Sequence, residues 1–185
     1  MSDDVFHRPP TLTVPVGLED HVRGDAGAPL SLVEYGDFEC PQCGEAFAIV
    51  PEVERAFGVR LRFVFRHFPL TNVHPNAQRA AEAAEWAAAQ GAFWPMHDRL
   101  FENGRRLSEP RVLALGREVA PDAPPLEDAL RAHTYFARVK GDFRAGIRSG
   151  VSGTPTFFVN GVRHDGGWDA AALVEALERA AKDAR

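Results

Sequence analysis

The chain owns two sulfur nucleophiles, and they stand two residues apart in Cys40-Pro41-Gln42-Cys43. Thiols at that spacing can be oxidised to a disulfide and reduced again as a pair. At the start of a helix they fall on neighbouring turns, within the short Cβ separation that a disulfide demands. A helix N-terminus also favours the thiolate, which is the nucleophilic form. The same spacing serves as half of a zinc or iron–sulfur site, which needs a second cysteine pair or closely spaced histidines to complete it. No third cysteine exists, and the scattered His7, His21, His67, His74, His97, His133 and His164 include no close H-x3-5-H pair. Metal binding and a buried structural thiol pair stand as alternatives to redox chemistry.

Such a pair needs a strand to deliver it and a helix to receive it. Leu30 to Phe38 is short, apolar and bounded by Pro29 and Gly36, which reads as a buried strand and turn. Gly44 to Phe57 carries Phe47, Val50 and Phe57 at helical intervals and stops at Gly58. Pro41 falls in the first turn, where its missing N–H costs nothing. Pro51 predicts a kink further along the helix. A second signal is the run Val151 to Val159, where the Gly153-Thr154-Pro155 turn enters a β-branched and aromatic segment. Pro155 is a candidate cis peptide beside an alternative reading as a trans proline opening an edge strand. Taken with the upstream C-x-x-C, these residues resemble the thioredoxin superfamily, whose members pack a cis-proline loop against the thiol pair.

Between strand-like Arg60 to Phe68 and the turn at Gly153 the pattern is helical. Ala77, Ala80, Ala81 and Ala84 repeat at helical spacing toward Trp86, and a second helix around Phe93, Met96 and Leu100 ends near Asn103-Gly104. Ser108 can cap a third helix to about Val119, and a fourth is predicted to run from about Leu126 through Phe136 and Phe143 toward Ile147. A helical block between the two halves of a thioredoxin fold is the arrangement of the DsbA-like thiol-disulfide oxidoreductases. Asp37 to Cys43, Arg66-His67-Phe68-Pro69-Leu70, Gly91 to Asp98 and Gly153-Thr154-Pro155 are similar to that family, in the same order. The resemblance implies an α/β thioredoxin fold, a central mixed sheet flanked by helices, with a helical insertion between the second strand and the cis-Pro strand. The expected organisation is a flexible tail over 1–11 and one domain over 12–185. Within it, 12–72 and 149–185 form the thioredoxin core and 73–148 the insertion.

The implied reaction is exchange of a Cys40–Cys43 dithiol or disulfide with protein or small thiols through a mixed disulfide. Cys40 is the expected nucleophile, the more exposed thiol with a lowered pKa, and Cys43 the more buried resolving thiol. Glu34 matches the acidic residue that related proteins keep beneath the active-site helix, where a buried carboxylate could exchange a proton with Cys43. Its alternative is a strand-edge acid facing solvent. Thr154, Pro155 and Gly153, with Pro41 and Gln42, are the expected substrate contacts, Thr154 through backbone hydrogen bonds to an extended segment. Gln42 stands where the family's strong oxidants have histidine, which predicts a more reducing potential than theirs. Asp37 and Glu39 are expected in an exposed turn, their charge opposing a Cys40 thiolate. The stretch Phe93 to His97 reads as helical packing. A binding or chaperone module, or a glutathione-linked isomerase or transferase, remains as an alternative function on the same fold.

With 185 residues, 45% of them hydrophobic, the chain can bury a substantial core. A net charge of −5 and the lack of a basic run argue against nucleic acid as a partner. The first residues, Met1 to Phe6, lack the basic and apolar regions of a signal peptide, and no stretch is apolar enough to span a membrane. A cytoplasmic location without membrane insertion is therefore expected. The expected partners are protein thiols and disulfides as clients, and a redox partner that no residue identifies. No cofactor or metal is expected beyond the redox-active disulfide.

Overall fold

A computed structural model describes residues 9–183 of the chain. Its centre is β2 (Leu30–Gly36), in which every residue is buried. A strand with neighbours on both edges and helices on both faces has no side open to water, so its sequence is almost continuously apolar. It runs parallel to β3 (Leu61–His67), from Leu30↔Leu61 to Gly36↔His67. On its other edge it pairs antiparallel with β4 (Thr156–Val159), from Leu32↔Val159 to Tyr35↔Thr156. The short β1 (His21–Arg23) and β5 (Val162–Arg163) close a five-stranded sheet in the order β1-β3-β2-β4-β5. The edge strand β1 has no counterpart in the sequence reading, because three residues ending at Gly24 are too few to show a period.

Alternation along the strands sorts the core into two. Leu30, Leu32, Leu61, Phe63 and Phe65 share one face with Cys43 and Val50 of α1 (Pro41–Phe57) and Leu173 of α7 (Ala170–Asp183). Val33, Tyr35, Val64 and Phe158 share the other with Phe68, which stacks on Phe143 of α6 (Phe136–Arg148) at 4.4 Å. Each fully buried aromatic contributes roughly 1.5–3 kcal/mol against exposure. Gly36 ends β2 where the Phe65 ring and the Glu34 carboxylate approach so closely that a Cβ would collide with the ring. The helix α1 runs unbroken past Pro51 to a left-handed cap at Gly58.

Between β3 and β4 lie α2 (Ala77–Ala88), α3 (Phe93–Asn103), α4 (Glu109–Val119), α5 (Leu126–Arg131) and α6. In α2 the alanines Ala77, Ala80, Ala81, Ala83, Ala84 and Ala87 are all buried, so neighbouring helices can approach on several sides. Ser108 caps α4, its hydroxyl accepting from the Arg111 N–H at 3.4 Å. The single helix expected from Leu126 to Ile147 is two. His133 adopts φ +51°, and the Thr134 N–H closes on Ala129 O at 3.1 Å. A left-handed residue ends one helix and turns the chain before the next. At residues 10 and 11 the stretch expected as a tail is paired with the sheet. Pro10 O accepts from Arg163 N at 2.8 Å and Thr11 bridges Val162, so this stretch adds backbone partners to the edge strand β5. Residues 1–8, the rest of that predicted tail, lie outside the described residues.

Candidate active site

The parallel pairing of β2 and β3 sets the position of the thiols. Chain leaving β2 at Gly36 turns through Asp37-Phe38-Glu39 and enters α1 with Cys40 at its N-cap (φ −69°, ψ 123°) and Pro41 in the first turn. The Cys40 N–H closes this turn on Asp37 O at 3.1 Å. Cys40 is 5% exposed and Cys43, one turn in, is 0% exposed; both are reduced. The order of exposure is the expected one, but Cys40 is far from open to solvent. Its Sγ lies 3.2 Å from Gln42 Oε1 and 3.3 Å from Thr154 O, donating as a thiol to either.

The acidities of the two sulfurs are shifted in opposite directions. Donation from the Cys43 thiol, more than any other contact, lowers the Cys40 pKa to about 5 against the opposing effect of burial; the Thr154 side chain and the N–H groups of Cys43 and Gln42 add to it. The Thr154 hydroxyl has no other hydrogen-bond partner among the described residues and is free to face a thiolate. Burial pushes Cys43 well above its ordinary value, reinforced by that same donation and by the charges of Glu34 and Cys40. Gln42 therefore leaves Cys40 strongly acidified even without a histidine.

Glu34 sits at the middle of the sheet, paired with Phe65 on one side and Phe157 on the other, and is 1% exposed. The solvent-facing reading of this residue is thereby excluded. Its Oε1 has no hydrogen-bond partner among the described residues, and burial, with the Cys40 charge nearby, raises its pKa to about 8. Asp37 and Glu39 correct another expectation. Asp37 is buried, and Glu39 is half-buried with its carboxylate accepting from Asn76 Nδ2 at 3.1 Å and from the Asn76 N–H. Neither stands in an exposed turn, because the loop entering α2 covers them.

The Gly153-Thr154-Pro155 segment reaches Cys40 from β4, and the Thr154–Pro155 peptide bond is cis. The segment lies beyond Tyr35↔Thr156, the last pair of the β2–β4 ladder, and Gly153 O accepts from the Thr156 hydroxyl at 2.7 Å. Two cavities lie nearby, one at Cys40 and one at Pro155. One of about 330 Å³ runs from Cys40 and Pro41 past Phe38 and Phe101 to Arg105 and Arg106. The other, about 260 Å³, lies between Pro155, Phe157, His164 and Trp168. Gln42, between Pro41 and Cys43, is exposed. The insertion's contribution, Phe101 to Arg106, had no sequence signal, since nothing local marks residues so distant from Cys40.

Spacing also concealed one cluster. His21, His67 and Glu85 converge, with both Nε2 atoms on Glu85 Oε1 at 2.7 and 2.9 Å. Two imidazoles and a carboxylate could ligate a cation. Arg138 Nε, 3.8 Å from the same oxygen, already supplies positive charge, and His67 Nδ1 lacks the outer acceptor that metal-bound imidazoles usually have. The arrangement serves as a hydrogen-bonded ion cluster joining β1, β3 and α2. His97 is buried among Phe38, Phe47, Phe65, Phe93 and Trp94, as packing rather than as part of the thiol site.

A thioredoxin family model matches residues 18–179. Among solved structures, BdbD of Bacillus subtilis superposes with a TM-score of 0.81 at 24% identity, covering 94% of this chain and 99% of that one. A thioredoxin-like oxidoreductase of Silicibacter pomeroyi gives 0.76 at 28% identity, over 90% and 94%. The α-DsbA1 of Wolbachia pipientis gives 0.75 at 18%, over 92% and 95%. In sequence, the chain is 45% identical over 171 residues to a Na(+)/H(+) antiporter NhaA 1 of Mycobacterium sp. (strain KMS), covering 91% of this chain. It is 46% identical over 170 residues to the protein of that name from Salinispora arenicola. The chain spans only 28% and 26% of those two relatives.

Proposed function

Since the chain belongs to the thioredoxin family and has the fold of its DsbA-like members, we propose that it is a thiol-disulfide oxidoreductase working through Cys40 and Cys43. The observation that carries this reading is the opposed acidity of the two thiols, one near 5 and one well above its ordinary value, on a single helix turn. Cys40 is a thiolate at neutral pH and attacks one sulfur of a client disulfide, forming a mixed disulfide and releasing the first client thiolate. Cys43 loses its proton and attacks Cys40 Sγ, which releases the second client thiolate and forms the Cys40–Cys43 disulfide. Run backward, the same steps oxidise a client dithiol. Glu34, the buried carboxylate whose charge is felt at Cys43, takes or returns the Cys43 proton. An extended client strand lies along Gly153-Thr154-Pro155, with Pro41 and Gln42 opposite, and its flanking side chains enter the two cavities.

The named activity of the antiporter relatives is not carried over, since the chain spans little more than a quarter of them. No helix among the described residues is long and apolar enough to cross a membrane. In our reading the matched segment is a redox domain borne by those larger proteins, and its clients are protein thiols.

A Cys43→Ser variant incubated with client proteins accumulates disulfide adducts at Cys40, and Cys40→Ser accumulates none. Adducts on Cys40→Ser alone would invert the assignment, and adducts on neither would remove the exchange reaction. A stabilised thiolate stabilises the reduced form, so the reduction potential lies above the ~−270 mV of thioredoxin; lacking histidine, it stays below the ~−120 mV of DsbA.

A further inference from the structure

Asp37 spends every polar atom it has at the foot of the active-site helix. Its N–H points at Cys43 Sγ at 3.4 Å, and its carbonyl accepts from the Cys40 N–H at 3.1 Å. Oδ1 accepts from the Glu39 N–H at 2.8 Å. Oδ2 accepts from the Leu70 N–H and from His74 Nδ1, each at 2.8 Å. The carboxylate is fully enclosed and His74 is 19% exposed at the protein surface. One residue thus binds both thiol positions through its backbone and, through its side chain, the loop that leads from β3 into the helical insertion.

We infer that Asp37 is a positioning residue for Cys43: mooring its carboxylate to Leu70 and His74 holds its own N–H against the resolving sulfur. This rests on the exchange reaction proposed above. The consequence falls on one step. An N–H aimed at sulfur favours the thiolate over the thiol, and Cys43 needs that help because burial opposes its charge. Cys40 takes its acidity from Cys43, Thr154 and the first-turn amides, none of which hydrogen-bonds to the Asp37 carboxylate. Loosening Asp37 therefore slows the second displacement and spares the first.

The two displacements can be timed separately in the whole chain with dithiobis(nitrobenzoate), whose thiolate product is coloured. Attack by Cys40 forms a Cys40–aryl mixed disulfide and releases one arylthiolate. Attack by Cys43 on Cys40 Sγ releases the second and leaves the intramolecular disulfide, the Cys43 proton passing to the medium. In Asp37→Asn an NH2 group replaces one of the oxygens, and either orientation of the amide costs an acceptor at a backbone N–H. The second release is expected to slow about tenfold, the scale of one lost charge-assisted hydrogen bond, with the first release unchanged. His74→Ala removes one of the three donors to the carboxylate and should slow the second release two- to threefold. Equal slowing of both releases would mean general loosening of the fold and would overturn the inference. So would a second release at the wild-type rate in both variants; if Asp37→Asn does not fold, His74→Ala decides alone. A wild-type protein that shows neither release refutes the exchange reaction itself, and this inference with it.

Discussion

Glu34 and Glu85 are both buried carboxylates against the β2–β3 pair, at 1% and 6% exposure, and they meet opposite fates. For each, burial is the largest influence and pushes the pKa up. At Glu85 the imidazoles of His21 and His67 overturn that push and hold the carboxyl below the usual range. At Glu34 one oxygen meets nothing, Arg23 offers only a weak opposing field, and the pKa rises to about 8. Depth in the protein does not separate a fastening from a reactive group; partners do. One carboxylate ties the insertion to the sheet, and the other is left able to take a proton beneath the thiols.

The strongest way to break this contrast is to remove the fastening. Glu85→Ala leaves the buried His67, the half-buried His21 and Arg138 without their anion, and losing one member of such a cluster costs about 3–5 kcal/mol. Denaturant unfolding should show that loss at neutral pH. Because the folded pKa of Glu85 lies below its unfolded value, its contribution is present above pH 4.5 and fades on acidification, so wild type and variant converge in acid. The Cys40 thiolate, followed by its ultraviolet absorbance, should still titrate near 5. A clear shift there would show that the fastening and the thiol site are one electrostatic unit.

A buried base extends the contrast. His97 Nε2 has no partner among the described residues and its ring is enclosed by aromatics; burial drops its pKa to about 4, although Asp98 at 2.8 Å pulls the other way. A base whose folded pKa lies below its unfolded value of 6.5 binds more protons when unfolded across that interval. Stability therefore falls as pH drops from 6.5 toward 4, by about 3 kcal/mol at about 1.36 kcal/mol per unit. Replacing it by a ring that does not titrate, in His97→Phe, should flatten that part of the pH–stability curve. An unchanged slope would assign the acid sensitivity elsewhere, with the Asp20–Arg66 pair as the next site to test.

What the sequence makes legible here is what short stretches decide. The apolar run before Cys40, Pro41 in the first turn, the alanine spacing of α2 and the Ser108 cap each act within a few residues, and each lies where its local pattern places it. Residues read in isolation from their partners fared differently. Asp37 looks like a turn acid until Leu70 and His74, 33 and 37 positions later, close over it. Glu85 finds His21 across 64 positions and His67 across 18, so no spacing rule could have joined them. His133 ends a helix by adopting a left-handed conformation that its identity permits without announcing. Glu34 lies between these cases: the family resemblance marks the position, whereas its lack of a partner is visible only in three dimensions.

That lack of a partner supports the smallest and most specific prediction. Glu34→Gln keeps the shape of the side chain and removes its charge. If the carboxylate relays the Cys43 proton, the step in which Cys43 displaces the client should slow about a hundredfold, the lower end for a positioned acid or base. The inflection near pH 8 in that step should also disappear. Stability should move in the direction opposite to Glu85→Ala. A carboxyl whose folded pKa exceeds its unfolded value contributes stability that is complete below pH 4.5 and lost as pH rises toward 8, so the neutral amide gains on wild type across that interval. A variant more stable at pH 8 and slower in one step is the signature of a group kept for chemistry at the expense of the fold. Equal rates across pH, with the same gain in stability, would leave Glu34 a buried liability and place the Cys43 proton transfer directly with solvent.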